Sequence, residues 1–259
     1  MANDSVGRTF LVAFLVCFVC SLLVSGTAAG LRAKKERDAL SIHYRNVLRV
    51  TGLLTPGTDP ADFWRERVEA RLVELDTAQY SEDFDPNTFD PQRAAGDSAL
   101  ARAIPSQADL AGLRSRPRLL PVYLIREGDE VRQLVLPVYG KGLWSTLHGY
   151  LALEADLVTV AGFGFYDHAE TPGLGGEIDN PRWLAQWPGK QAFDEQGQVR
   201  IEVLRGQVDA ADPQARFQVD GLSGATMTAR GVGNLLRYWL GADGFGPYLE
   251  RLRREGFHG

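Results

Sequence analysis

The run Asp220-Gly221-Leu222-Ser223-Gly224-Ala225-Thr226-Met227-Thr228 gathers one carboxylate, two glycines and three hydroxyls in a short space. It sits where a short strand expected over 216–219 passes into an amphipathic helix. The glycines allow a tight turn and a close approach of backbone to a ligand. The turn opens on a helix N-terminus, whose free N–H groups and dipole favour an anion. One threonine hydroxyl can cap the helix; the other is free to be esterified. Phosphate held at a helix start and bonded to a hydroxyl is the chemistry on offer. The plainer alternative is a strand–turn–helix corner with Thr228 as N-cap, which accounts for Thr228 and leaves the rest of the pattern unexplained.

Two more segments carry residues suited to a site. In Val138-Tyr139-Gly140-Lys141-Gly142-Leu143-Trp144-Ser145, a strand runs into a loop with glycines, one lysine and one tryptophan. His168-Ala169-Glu170-Thr171-Pro172-Gly173-Leu174-Gly175-Gly176-Glu177 follows the clearest strand directly. Its glycines leave backbone amides open, with Leu174 between them, and so many glycines after a core strand cost entropy. Glu170 and Glu177 are the carboxylates there. Elsewhere the chemistry is sparse. The two cysteines, Cys17 and Cys20, lie in the apolar N-terminal stretch, which excludes disulfides, thiolate metal sites and a cysteine nucleophile from the remainder. On a helix their i, i+3 spacing simply places two small apolar side chains on one face. His43, His148, His168 and His258 show no metal-ligand spacing. Net charge is −5 with no strong basic patch beyond the apolar stretch, which argues against nucleic acid as a partner.

The 259 residues suffice for one large domain or two small ones. Residues 9–31 are uncharged and bracketed by Arg8 and Arg32. As a helix they span about 34 Å, enough for a bilayer core. The competing reading is a cleaved signal peptide cut near Thr27-Ala28-Ala29; the uncharged run exceeds a normal signal core, so an uncleaved anchor is preferred. Arg32, Lys34, Lys35 and Arg37 follow the span, and the positive-inside rule taken alone would keep the large domain cytoplasmic.

Beyond the anchor, 39–50 continues with helical spacing, and 62–76 reads as a surface helix with Phe63, Val68, Leu72 and Leu75 on one stripe. Residues 81–117 read as loop with a short helical piece. Strands are expected at 119–126, 130–139 (joined by a turn at Gly128-Asp129), 156–166, 199–204 and 216–219. In 156–166, Gly162 and Gly164 share one face, so something approaches the backbone there. Val232, Leu235, Leu236, Trp239 and Leu240 form a core-facing helical stripe that Gly241 and Gly244 end. Helices and strands mix without strict βαβ alternation, which makes the fold α+β. The expected division is a tail at 1–8, a transmembrane helix at 9–31, a helical and loop connection at 32–117 and a binding domain at 118–259.

Asp220, Ser223, Gly224, Ala225 and Thr226 match all fixed positions of the flavinylation motif Asp-x-x-(Ser/Thr)-Gly-Ala-Thr. Together with "YGKGLWSTLHGYLALE", "GFYDHAETPGLGGEIDNP" and "DGLSGATMTARGV", and the anchor, the chain resembles the C subunit of the Na+-translocating NADH:quinone reductases over essentially its whole length. The G subunit of Rnf electron-transport complexes is similar in the threonine motif and glycine loop, but not in the longer "GLWSTLHGYLALE" stretch. The resemblance implies a single-pass bacterial inner-membrane protein with a periplasmic mixed α/β domain. FMN is then joined through its phosphate to Thr226 by a flavin transferase, with Asp220 a recognition residue. It also implies single-electron relay between an iron–sulfur-bearing and a second flavin-bearing subunit of a complex that oxidises NADH, reduces ubiquinone and pumps Na+. Ser223, Gly224, Ala225 and Thr228 would bind near the phosphate. A flavin ring needs an apolar slot and N–H donors; Trp144 and Leu174 could flank it, the amides near Gly173 to Gly175 could reach its polar edge, and Glu170 and Thr171 are further candidates for binding the cofactor. Alternatively Trp144 belongs to the core. A lone carboxylate near a flavin more often tunes its potential than shuttles protons, so Glu170 is expected to tune. Two other readings are a membrane-tethered serine hydrolase on Ser223, for which Ala225 breaks the G-x-S-x-G pattern, and a non-catalytic assembly module.

Overall fold

The computed structural model describes residues 6–257; residues 1–5 of the expected tail, and His258, lie outside them. The chain divides into two compact units, 1–45 and 46–259. The first is carried by helix α1 (Val6–Arg49), of which 46–49 belong to the second unit. Within α1, Gly7–Arg32 is long and apolar enough to cross a membrane, and its side chains are exposed. The helix runs unbroken through the small residues of the alternative cleavage site. Thr27 Oγ1 donates to the carbonyls of Leu23 at 2.8 Å and Val24 at 2.9 Å, which satisfies its hydroxyl inside an apolar helix.

In the second unit the elements in order are α2 (Pro60–Arg67), β1 (Val68–Glu74), β2 (Gln79–Ser81), α3 (Pro91–Gly96), β3 (Ala101–Ala103), β4 (Ser115–Pro117), β5 (Leu119–Glu127), β6 (Glu130–Lys141), β7 (Thr146–Glu154) and β8 (Val160–Asp167). A 3₁₀ turn (Gly175–Asp179), α4 (Pro181–Leu184), β9 (Glu202–Val203), a second 3₁₀ turn (Pro213–Phe217), β10 (Gln218–Val219), α5 (Thr226–Leu240) and α6 (Gly246–Glu255) follow. Six strands form one antiparallel sheet in the order β2-β1-β5-β6-β7-β8. One face carries the main core. Leu120, Val122, Leu124, Leu134, Leu136 and Val138 pack there with the expected α5 stripe of Val232, Leu235, Leu236, Trp239 and Leu240, all at or below 1% exposure. The other face is also covered. Trp64 of α2 meets Tyr123 with ring centroids 5.2 Å apart, and a Cβ on Gly162 would fall 2.2 Å from the Val50 carbonyl oxygen. Burial on both faces is why β5 reads as a near-continuous apolar run rather than alternating.

The α+β class stands. The β5–β6 turn falls at Gly128 as expected, with φ +62°. The helix expected at 62–76 is corrected: α2 stops at Arg67 and the rest is β1, which pairs antiparallel with β5 from Val68 to Glu74. Pairing with a buried partner overrides a stripe that local spacing makes look helical. Strands β1 and β2, from the expected connecting region, are therefore part of the main sheet. β7, which the sequence pattern leaves unassigned, lies between β6 and β8 in that sheet. The strand expected from 156 begins at Val160, because Asp156 turns the chain, its carboxylate accepting from the amides of Val158 and Thr159. The expected 199–204 and 216–219 strands shrink to β9 and β10, which pair parallel over two residues.

Helix α5 approaches β6 closely. A Cβ on Gly231 would lie 2.4 Å from the Lys141 carbonyl oxygen, and one on Gly140 would lie 2.7 Å from Leu235 Cβ. Backbone at that range cannot yield cheaply. Gly231→Ala is expected to destabilise the full-length chain by about 1–3 kcal/mol, read by chemical unfolding in detergent; unchanged stability would mean that the contact is slack.

Candidate functional site

Strand β10 ends at Val219, and the Asp220–Ala225 turn delivers the chain to α5. Gly224 takes φ +71°, a region that favours glycine, and stands against Leu174. A Cβ on Gly221 would strike the Leu204 carbonyl oxygen at 2.3 Å. Ala225 occupies the N-cap position without a side-chain cap, so the first amides of α5 have no side-chain acceptor there. Thr226 is the first helical residue, is exposed, and its hydroxyl has no hydrogen-bond partner among the described residues. Ser223 is also exposed, with no histidine bonded to it among the described residues. Thr228 is not the N-cap of the plainer expectation. It is fully buried and donates to Glu170 Oε2 at 2.6 Å.

Glu170 joins three distant segments. Oε1 accepts from the amides of Leu143 at 3.1 Å, Trp144 at 2.9 Å and Ser145 at 3.2 Å, while Oε2 takes the Thr228 hydroxyl. The residue is 5% exposed. Burial pushes the carboxyl up, but the Thr228 hydroxyl and the three amides outweigh it and hold it below the ordinary value of 4.5. Two glycines exist because this carboxylate is there: a Cβ on Gly142 would lie 2.5 Å from Oε1, and one on Gly175 would lie 2.6 Å from Oε2 and 2.6 Å from Thr228 Oγ1. Glu170 is thus a clamp between the β6–β7 hairpin and α5, a role its sequence context does not suggest. Glu177 accepts from Asn180 Nδ2 at 2.6 Å.

The rim of the site is apolar and open. Trp144 is 71% exposed, which corrects its alternative placement in the core, and Leu143, Leu174 and Met227 are about half exposed. The loop amides of Leu174 and Gly176 both donate to the Thr171 carbonyl. Those of Gly173 and Gly175 have no such bond among the described residues, and Gly173 has φ +75°. A cleft of about 500 Å³ runs between the 173–180 loop and the 221–224 turn. Trp183 closes its base, its Nε1 donating to the Asp220 carbonyl at 2.8 Å. The Asp220 carboxylate accepts the Val208 amide at 2.7 Å, and its own amide donates to Gln186 Oε1 at 3.0 Å. Asp220 therefore has a structural task in the turn whatever else recognises it. Exposed Arg230, one turn beyond Thr226, donates to Met227 Sδ at 2.9 Å. Gln186 and Trp183 support the turn and carry no sequence signal, because their shared partner Asp220 lies 34 and 37 residues away along the chain.

The family model described as FMN-binding domain matches residues 142–241, from the hairpin turn that holds Trp144 to the residue that ends α5. The chain is 46% identical over 258 residues to the C subunit of the Na(+)-translocating NADH-quinone reductase of Pseudomonas aeruginosa, covering 98% of this chain and 99% of the relative. With the corresponding C subunit of Yersinia pestis it shares 44% identity, covering 97% of this chain and 94% of the relative. The chain belongs to this C-subunit family. Among solved structures it is similar to NqrC of Shewanella oneidensis, with TM-score 0.77 and 33% identity over 86% of this chain and 100% of that one. The C-subunit structure from Parabacteroides distasonis matches with TM-score 0.66 and 25% identity, covering 85% of this chain and 96% of that one.

FMN is accordingly the cofactor, and the residues present fit it. The cleft lies in the size range of small-molecule sites. Exposed Trp144 and Leu174 offer apolar surface, Gly173 on the cleft wall offers an amide while Gly175 is buried, and the open start of α5 offers anion-binding N–H groups beside a free hydroxyl. The clamp predicts a pH signature. A carboxyl depressed on folding stabilises fully above its unfolded value of about 4.5, and that contribution is lost as pH falls through the lower folded value. Unfolding of the full-length chain should therefore show stability falling below about pH 4.5. Glu170→Gln should cost about 1–3 kcal/mol at neutral pH and flatten part of that acid limb; an unchanged limb would deny the clamp its charge.

Proposed function

We propose that the chain is the electron-carrier subunit of a Na+-translocating NADH:quinone reductase, with FMN bound as a phosphoester of Thr226. The observation that carries the linkage is the Thr226 hydroxyl, exposed and without a partner among the described residues at the uncapped start of α5. A phosphate there meets unpaired amides and the positive end of the helix dipole. The match of 220–226 to the flavinylation motif supports attachment by a flavin transferase. When bound, FMN supplies one-electron redox chemistry.

The chain's own part is to hold and orient. Thr226 would tether the phosphate, so that the cofactor stays during turnover. Trp144 and Leu174 would give the ring apolar surface, and the amides of Gly173 and Gly175 would serve its carbonyl edge. Glu170 keeps both supporting segments fixed from beneath. The half-open rim suits electron exchange with neighbouring subunits, one bearing an iron–sulfur centre and one a second flavin. Helix α1 anchors the chain in the bacterial inner membrane, with the second unit in the periplasm. Arg32, Lys34, Lys35 and Arg37 run against the positive-inside rule in that orientation, but the rule governs short loops better than long translocated domains.

Wild type and Thr226→Val, each co-expressed with a flavin transferase, separate the readings by denaturing-gel fluorescence and intact mass. A fluorescent wild-type band one FMN phosphoester heavier, absent in the variant, is the expected result. A dark wild-type band of unmodified mass, with the transferase active on a control substrate, would overturn the linkage.

A further inference from the structure

His168 stands between the two ends of the glycine loop. Its Nε2 lies 2.9 Å from Asp179 Oδ2, at the close of the 3₁₀ turn. Its Nδ1 lies 3.2 Å from the Glu170 amide nitrogen. An amide N–H can only donate, so Nδ1 must be the bare, accepting nitrogen. Nε2 then carries the proton and donates to the Asp179 carboxylate. One tautomer of the neutral imidazole satisfies both contacts at once. The ring is held in place, with 13% of the side chain exposed. Successive residues of this segment are thus pinned to different elements. His168 reaches the end of the loop, the Ala169 amide donates to Ser145 Oγ of the hairpin at 2.8 Å, and the Glu170 side chain holds the hairpin amides and Thr228 of α5. Beyond Asp179, the Arg49 guanidinium lies 4.0 Å from Oδ1 and donates to the Phe165 carbonyl at 2.6 Å.

We propose that His168 is a positioning residue of the FMN site, its neutral imidazole tying the 3₁₀ turn to the Glu170 backbone so that Leu174 and the 143–145 amides keep their places beside Thr226. The inference rests on the FMN reading for its functional meaning, though not for its geometry. Removing the ring would leave the Asp179 carboxylate and the Glu170 amide without the partner they share, so both attachments of the loop would loosen.

The test is amide hydrogen exchange of the full-length chain in detergent, co-expressed with a flavin transferase and with FMN loading measured by intact mass. Rates at 142–145 and 168–176 are compared at a single pH and corrected for intrinsic chemistry. His168→Leu should exchange about tenfold faster than wild type, the loss of one net hydrogen bond. His168→Asn, whose Oδ1 can accept from the Glu170 amide, should recover protection. A leucine variant as protected as wild type, or an asparagine variant that exchanges as fast as the leucine variant, would overturn the proposal. Should the leucine variant fail to fold, Asp179→Ala, which removes the other contact of the ring, should speed exchange at 168–176, and unchanged protection there would overturn the proposal. A wild-type chain that carries no FMN counts against the covalent reading alone, since the same exchange comparison then decides His168 on the unloaded chain.

Discussion

A buried carboxylate must find donors or lose its charge, and the site is organised around how Glu170 finds them. Four hydrogen bonds from two separate segments converge on its two oxygens. Each donor would be costly to bury alone, and so would the anion. Satisfied together, they lock a hairpin turn, a glycine loop and the first turn of a helix into one body. This accounts for glycine at 142 and 175, where any side chain would invade the carboxylate. It also frees Trp144 to project outward, because its backbone rather than its ring is what is anchored.

The sheet sets the stage for that clamp. Helix α5 lies against β6 at a distance that only Gly231 and Gly140 allow, and its apolar stripe fills the main core. The helix start is therefore fixed relative to the hairpin that leaves β6. Its N-terminal amides and the Thr226 hydroxyl meet solvent at the same end of the sheet as Trp144 and Leu174. Rigid packing on one side and an open, half-apolar rim on the other is what a carrier of electrons between partners requires. The cofactor must not wander, yet its edge must be reachable.

Much of this is legible in the chain. The nine residues from Asp220 to Thr228 mark a turn into a helix, and α5 begins there at Thr226. The α5 stripe, the β5–β6 turn at Gly128 and the approach at Gly162 follow from period and glycine placement. What fails does so for a physical reason. The 62–76 segment carries a helix-like stripe, yet β5 offers its backbone a full ladder of partners from Val68 onward, and pairing wins. The hydroxyl of Thr228 looks like a local cap; a carboxylate 58 residues away claims it instead. Trp144 has the composition of a core residue and the position of a rim residue.

By itself, the sequence determined the α+β class, the apolar N-terminal helix, the turn into α5 and the glycine loop, because these rest on local conformational rules and short-range periodicity. The tertiary structure alone decided that Glu170 clamps the hairpin to α5, that His168 and Asp179 close the loop, that Asp220 braces the turn, and that Trp144 is exposed. Those assignments depend on which donors meet which acceptors across long stretches of chain. A carboxylate or an imidazole acquires its role from partners that only folding brings within about three ångströms.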